Sequence, residues 1–219
     1  MKLLSIDSAT GICSASLYID GKTDERFNIT GSKSSSLLLP MCERLLRANH
    51  IKLTDLDGII YSKGPGTFTG VRMAVGVAQG LVLASGIKSM GVNVLEAMAY
   101  YAYQKLGHQK TAVALDARMD EVYWQHFDFL SAAYAKPSLL KPQDVPFLGN
   151  EFIGVGSGWQ SYENALCKQS GVMQFEYFDM HASMLIDVVR MHVKEEFSSD
   201  IRSIKPLYLR NRVAEKSVK

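Results

Sequence analysis

The chain has 219 residues, 47% hydrophobic and 21% charged, with 24 Lys and Arg against 22 Asp and Glu for a net charge of +2. This composition excludes a disordered, collagen-like or coiled-coil chain, and at about 150 residues per domain the length corresponds to roughly one and a half domains. The three cysteines, Cys13, Cys42 and Cys167, are far apart and odd in number, with no Cys-x-x-Cys pair, which argues against a disulfide framework or a cysteine-rich zinc site.

In chain order, residues 2–7 form an apolar run that closes at Asp7 and the turn residues Ser8-Ala9-Thr10-Gly11. Leu3, Leu4 and Ile6 are too few for a signal peptide, and no stretch approaches the ~18 uninterrupted apolar residues of a membrane span. A soluble cytosolic protein without membrane contact is expected. Residues 12–19 alternate in polarity, Asp20-Gly21 marks a tight hairpin turn, and a third strand runs to about Ile29. The start reads as an antiparallel meander. A first helix is expected from near Ser35 to about Asn49. Its apolar residues, Leu37 to Leu39, Met41, Cys42, Leu45 and Leu46, cover more than the ~100° stripe of a surface helix. Residues 57–62 make a short buried strand before the glycine-rich run Lys63 to Arg72.

The second helix, about 70–85, has only Arg72 and Gln79 as long polar side chains. A helix apolar all round should be buried all round. Gly76 and Gly80 stand four apart and permit close approach by another helix. Each costs about 1 kcal/mol against alanine, so packing has to compensate. The two helices carry more apolar surface than a small sheet covers, which points to a helical protein–protein interface. The competing reading is a fully internal helix.

A strand at 88–92, a helix from about Val94 to Leu106, a strand at 111–116 ending in Asp116 and an aromatic strand from Glu121 to Leu130 follow. Pro137, Pro142 and Pro146 reduce Ala133 to Phe147 to a poorly paired edge strand and loop. Phe152 to Gly158 is a strand and turn, Trp159 to Gln169 a helix, and Ala182 to Phe197 the last helix. From Lys205 onward there are five cations and one anion. A basic tail on a slightly acidic body suits an anionic partner such as RNA, or is a solvated terminus.

The element order repeats at an offset of 109 residues, Asp7 matching Asp116. Two related α/β lobes are expected, at residues 1–106 and 107–219, with the last helix (about 182–197) packing back on the first lobe. They would meet at a cleft lined by the turns after Asp7 and Asp116. Gly64-Pro65-Gly66-Thr67-Phe68-Thr69-Gly70 lacks the lysine of a Walker loop, and its third glycine is one position late for a dinucleotide loop. It reads as a sharp strand-to-helix turn whose free amides could attract an anion. Asp7, Asp116, Asp120 and Glu121 could supply acid–base or Mg²⁺ chemistry, or simply form turns. The five histidines show no three- or four-residue pairing for a helical metal site.

Four stretches carry a resemblance to a known family. The segment Lys63 to Arg72 resembles the signature of the TsaB (YeaZ) proteins. Ile6-Asp7-Ser8-Ala9-Thr10, Leu115 to Tyr123 and Pro206 to Ala214 agree with it, in order, over almost the whole chain. The resemblance implies an actin/Hsp70-like (ASKHA) fold of two lobes with mixed sheets and flanking helices. It also implies a non-catalytic relative of the enzyme TsaD, which transfers a threonylcarbamoyl group to the adenosine beside the anticodon of tRNAs reading A-starting codons. The implied partners are TsaD in a heterodimer, the ATPase TsaE, tRNA through the complex, and a second copy when the chain is alone.

The metal-binding His-x-x-x-His of TsaD has no counterpart at Ser34 to Leu39, so no metal is expected here. The nucleotide contacts of an ASKHA ATPase are not recognisable either. No cofactor is expected to be required by this chain, with ATP or ADP left to the assembled complex. The signature and the excess apolar helix together place the partner interface at Leu38, Met41, Cys42, Leu45, Val75, Ala78 and Leu81. A nucleotide cleft would use Asp7, Thr10, Asp116, Gly156 and Gly158, and tRNA contact would use Arg210 and Arg212. The alternative is a stand-alone ATP-dependent kinase or hydrolase using that cleft.

Overall fold

The computed structural model describes residues 1–29, 34–191 and 197–210, and for residues 34 and 35 the backbone alone. The first half runs β1 (Lys2–Asp7), β2 (Cys13–Ile19), β3 (Lys22–Asn28), α1 (Ser34–Ala48), β4 (Gly58–Gly64), α2 (Phe68–Ser85), β5 (Ser89–Asn93) and α3 (Val94–Leu106). The second runs β6 (Lys110–Arg118), β7 (Glu121–Asp128), β8 (Ala133–Tyr134), β9 (Ser138–Leu140), β10 (Ile153–Val155), α4 (Ser157–Ser170), β11 (Gln174–Glu176) and α5 (Ala182–Met191). The described part of the last helix ends at Met191; residues 192–196 lie outside the described residues.

Both sheets have the same topology. The first is ordered β3-β2-β1-β4-β5 and the second β8-β7-β6-β10-β11, with β9 also pairing β7. In each, the first three strands form an antiparallel meander and the next two join in parallel. The crossover in the first lobe is α1, whereas in the second it is a short 3-10 turn at Pro142–Asp144.

Strand alternation assigns the two faces of the first sheet. Leu4 and Ile6 of β1 face α1 and α2 in one core cluster, with Leu17, Leu38, Leu45, Val75 and Ala78. Leu3 joins the opposite cluster with Leu185 and Val188 of α5. Ser5 on that side donates to the Ala182 carbonyl at 2.7 Å. Ser14 Oγ and Glu25 Oε1 accept from the Ala182 and Ser183 amides at the start of α5, each at 2.9 Å. On the second sheet, Ala112, Ala114, Val122 and Trp124 pack with Trp159 and Leu166 of α4, while Val113, Leu115 and Phe127 share the central cluster with α3 and α5.

The helices that cover the sheets are exchanged. α3 follows the first sheet but lies on β6 and β7, while α5 follows the second sheet but lies on β1, β2 and β4. The division at 106/107 therefore separates the two sheets, with α1 and α2 on the first and α4 on the second, but not α3 and α5 from the sheets that they cover.

The glycine-rich turn is explained by crowding. A Cβ on Gly70 would collide with the Ser8 carbonyl, so only glycine lets α2 start this close to β1. The helix begins two residues before the expected start, because Thr67 Oγ1 accepts from the Gly70 amide at 3.2 Å as an N-cap. Thr67→Ala should cost about 1 kcal/mol, read as a lower urea midpoint with unchanged slope. By length and mean hydropathy α2 would pass for a membrane span, but Arg72 and Gln79 interrupt it and one full face of it is built into the first lobe's core.

Candidate functional site

Two regions collect the residues singled out in the sequence. The first is the α1–α2 layer. Leu38, Met41, Cys42, Leu45, Val75, Ala78 and Leu81 are all buried within the first lobe, so the expectation that they form the partner interface is corrected: in this structure their side chains are taken up by the core. Gly70, Val71, Ala74, Val75, Ala78, Leu81 and Val82 make the face of α2 turned to the sheet, at the three- and four-residue spacing of a core stripe. The rest of α2 is what remains outside. Arg72, Gly76, Gly80, Leu83 and Ala84 are exposed, and Met73 and Val77 are half-buried. Leu83 is 76% exposed, and Leu39 on α1 is 53% exposed. A Cβ at Gly76 or Gly80 would meet nothing within 4 Å among the described residues.

The second region is a cavity of about 560 Å³ between the lobes, bordered by Thr10, Thr67, Asp116, Arg118, Tyr123 and Ser157. Thr10 and Asp116 stand where the sequence placed them, but Asp7, Gly156 and Gly158 do not line it. Asp7 is fully buried. Burial pushes its carboxyl up to about 6, against the adjacent Ser62 hydroxyl, the Ala9 and Ser8 amides and the charge on His181. Gly158 is pressed against Ala114, with no room for a side chain. Both aspartates act as turn formers. Asp7 Oδ1 accepts from the Ala9 amide at 3.0 Å, and Asp116 Oδ1 from the Arg118 amide at 2.8 Å. The shared two-residue reach is the repeat expressed in hydrogen bonds. Asp116 also receives Arg118 Nη1 at 3.3 Å and the Tyr162 hydroxyl at 3.4 Å.

Arg210 is not a free cation. It pairs with Glu121 and donates to the carbonyls of Ala117 and Arg118, partners that the sequence reading did not foresee. Arg212 lies outside the described residues. Among the described residues no group of three or more His, Cys, Asp or Glu is placed to hold a metal ion. Sequence reasoning missed the bond from Arg72 to Tyr208 and the Arg210 network; nothing in local spacing pairs residues 136 and 89 positions apart.

A family model described as TsaD, tRNA N6-adenosine threonylcarbamoyltransferase, matches residues 28–188. The tRNA threonylcarbamoyladenosine biosynthesis protein TsaB of Escherichia coli strain K12 is 34% identical over 228 residues, covering 100% of this chain and 98% of that protein. The chain belongs to the TsaB family. The TsaB protein of Haemophilus influenzae is 26% identical over 235 residues, covering 100% of this chain and 97% of its own length. A crystal structure from Pseudomonas aeruginosa, described as similar to peptidase YEAZ, superposes with a TM-score of 0.86 at 30% identity, covering 95% of this chain and 99% of that one. With the TsaD-type model over most of the chain and the sheet order repeated in both lobes, the TsaB fold here is of the actin/Hsp70-like (ASKHA) class.

Proposed function

We propose that this chain serves tRNA threonylcarbamoyladenosine synthesis in the cytoplasm as a non-catalytic subunit. It binds a TsaD-type transferase through the outer face of α1 and α2 and supports threonylcarbamoyl transfer together with TsaE. It needs no cofactor of its own, leaves ATP or ADP to the assembled complex, contacts tRNA through that complex, and pairs with a second copy through the same face when alone. The observation that carries the reading is the outer face of α2. Leu83, Met73 and Val77 flank two glycines that leave a groove open to a partner helix, and such grooves allow backbones to approach closely.

Leu83→Glu should leave monomer stability within about 0.5 kcal/mol, as for exposed sites generally, and Gly80→Leu should raise it by up to about 1 kcal/mol by removing a helix glycine. Each should weaken the complex with TsaD by about 100-fold, since hot-spot truncations cost upward of about 2 kcal/mol. Ala78→Arg would instead unfold the first lobe by burying a charge. An unchanged complex with both exposed variants on gel filtration and calorimetry overturns the interface. Modification of tRNA reconstituted with and without the chain tests the pathway role.

A second reading has one observation behind it. The cavity between the lobes lies within the ~300–1,000 Å³ range of small-molecule sites, as a stand-alone kinase or hydrolase would need. ATP turnover by the isolated chain, abolished by Asp116→Ala, would favour it.

A further inference from the structure

After the 3-10 turn Ile201–Ser203 the chain crosses from one lobe to the other. Ile204 is buried in the first lobe's core, and its carbonyl accepts from Gln79 Nε2 of α2 at 2.8 Å. The Leu207 amide donates to the Lys63 carbonyl on β4 at 2.6 Å. Arg72 Nε donates to the Tyr208 hydroxyl at 2.7 Å, and its guanidinium carbon lies 3.4 Å from the centre of the Phe68 ring. Arg210 then reaches the second lobe. Its Nη2 donates to the carbonyls of Ala117 and Arg118 at 3.1 and 3.2 Å and pairs with Glu121, and its Nη1 meets Met119 Sδ at 2.9 Å. Leu207 to Arg210 form part of the cavity wall.

The receiving turn is unusual. Arg118, Met119 and Asp120 have φ of 62°, 57° and 56°, three successive non-glycine residues in the left-handed region. That conformation is unfavourable for each of them and persists where the surroundings impose it. Here the surroundings are Asp116, which takes the Arg118 amide from inside the turn, and Arg210, which draws two of the turn's carbonyls toward one guanidinium. All three oxygen acceptors meet the one nitrogen Nη2, and Nη1 adds the Met119 sulfur. Beyond Ile204, residues 205–210 are half-buried or exposed. Their attachment rests on hydrogen bonds and one ion pair, with no core side chain among them. Segments of that kind open locally while the core stays folded.

We infer that residues 205–210 form a releasable clasp, anchored behind by Ile204 and fastened by Arg210 and Glu121, that sets how far the two lobes open over the cavity between them. The packing of α3 on α5 is a second connection between the lobes and stays intact when the clasp lets go. The inference is independent of whether TsaD binds the outer face of α2.

The test uses the full chain. Arg210→Ala should raise hydrogen exchange at the Leu207 amide by about tenfold or more, with exchange in β1 and β6 unchanged, as expected for local opening. In a Cys167→Ser background, a cysteine placed by Leu115→Cys on the nearly buried cavity wall should react with a methanethiosulfonate reagent about tenfold faster once Arg210 is replaced. Arg210→Lys should fall between wild type and alanine, because it keeps the charge for Glu121 and loses the second nitrogen that meets Met119. Should Arg210→Ala not fold, Glu121→Gln gives the same comparison in a milder form. Unchanged Leu207 exchange in these variants overturns the fastening. Raised exchange with unchanged labelling at position 115 overturns the control of the cavity.

Discussion

Replacing Trp159 with alanine should lower the free energy of unfolding by about 3–5 kcal/mol, the usual range for deleting a buried tryptophan. Trp159 is fully buried between α4 and the second sheet. Its ring lies 5.8 Å from that of Trp124 and stacks 6.1 Å from Phe175. Its Nε1 donates to the Ala112 carbonyl at 2.9 Å. The neighbouring strand is shaped around it, since a Cβ on Gly154 would stand 2.5 Å from the indole. Truncation leaves a cavity lined by rigid rings, which cannot collapse to fill it. Urea unfolding followed by circular dichroism reads the loss, and a change below about 1 kcal/mol would mean that the second lobe repacks without its indole.

Asp7 should make the protein more stable at mildly acidic than at neutral pH. Its carboxyl titrates near 3.8 when exposed in the unfolded chain and at about 6 in the fold, chiefly because burial disfavours the charge. Between those values the folded state holds the proton and the unfolded state does not, so stability falls as pH rises from about 4 to 6. The full penalty above pH 6 is about 3 kcal/mol at 1.36 kcal/mol per unit. His181 acts in the same direction. The Glu25 carboxylate, 3.4 Å from its Nδ1, holds its pKa above the ordinary 6.5. The stability from that pair is complete below 6.5 and is lost as pH rises through the raised value. Asp7→Asn keeps an oxygen for the Ala9 amide and cannot ionise. Its stability relative to wild type should rise by about 3 kcal/mol between pH 4 and pH 7.5. Parallel pH profiles for the two proteins would contradict the assignment.

Local rules recovered most of the elements and failed where two rules competed. The β1–β3 meander and α3 were legible because alternation, the Asp20-Gly21 turn and the glycine after Leu106 agreed with one another. β11 was missed because Gln174, Phe175 and Glu176 offer a single apolar residue. The repeat was legible in its order of elements, although its clearest expression lies in the paired turns of Asp7 and Asp116 and in the common sheet order. The candidate site was harder. A helix apolar on every side does not announce which side meets the sheet, so the residues that the sequence singles out on α2 for a partner, Val75, Ala78 and Leu81, belong to its core stripe. Gly76 and Gly80 mark the other face, since a Cβ on either meets nothing within 4 Å among the described residues. Arg210 was read by its charge alone. Its partners are backbone carbonyls of a strained turn, which no pattern of side chains reveals.

The exchange of α3 and α5 between the lobes bears on how each half folds, since α3 lies on β6 and β7 and α5 on β1, β2 and β4. The same exchange means that fragments 1–106 and 107–219 made separately should find their folds only in each other's presence, as complementing halves.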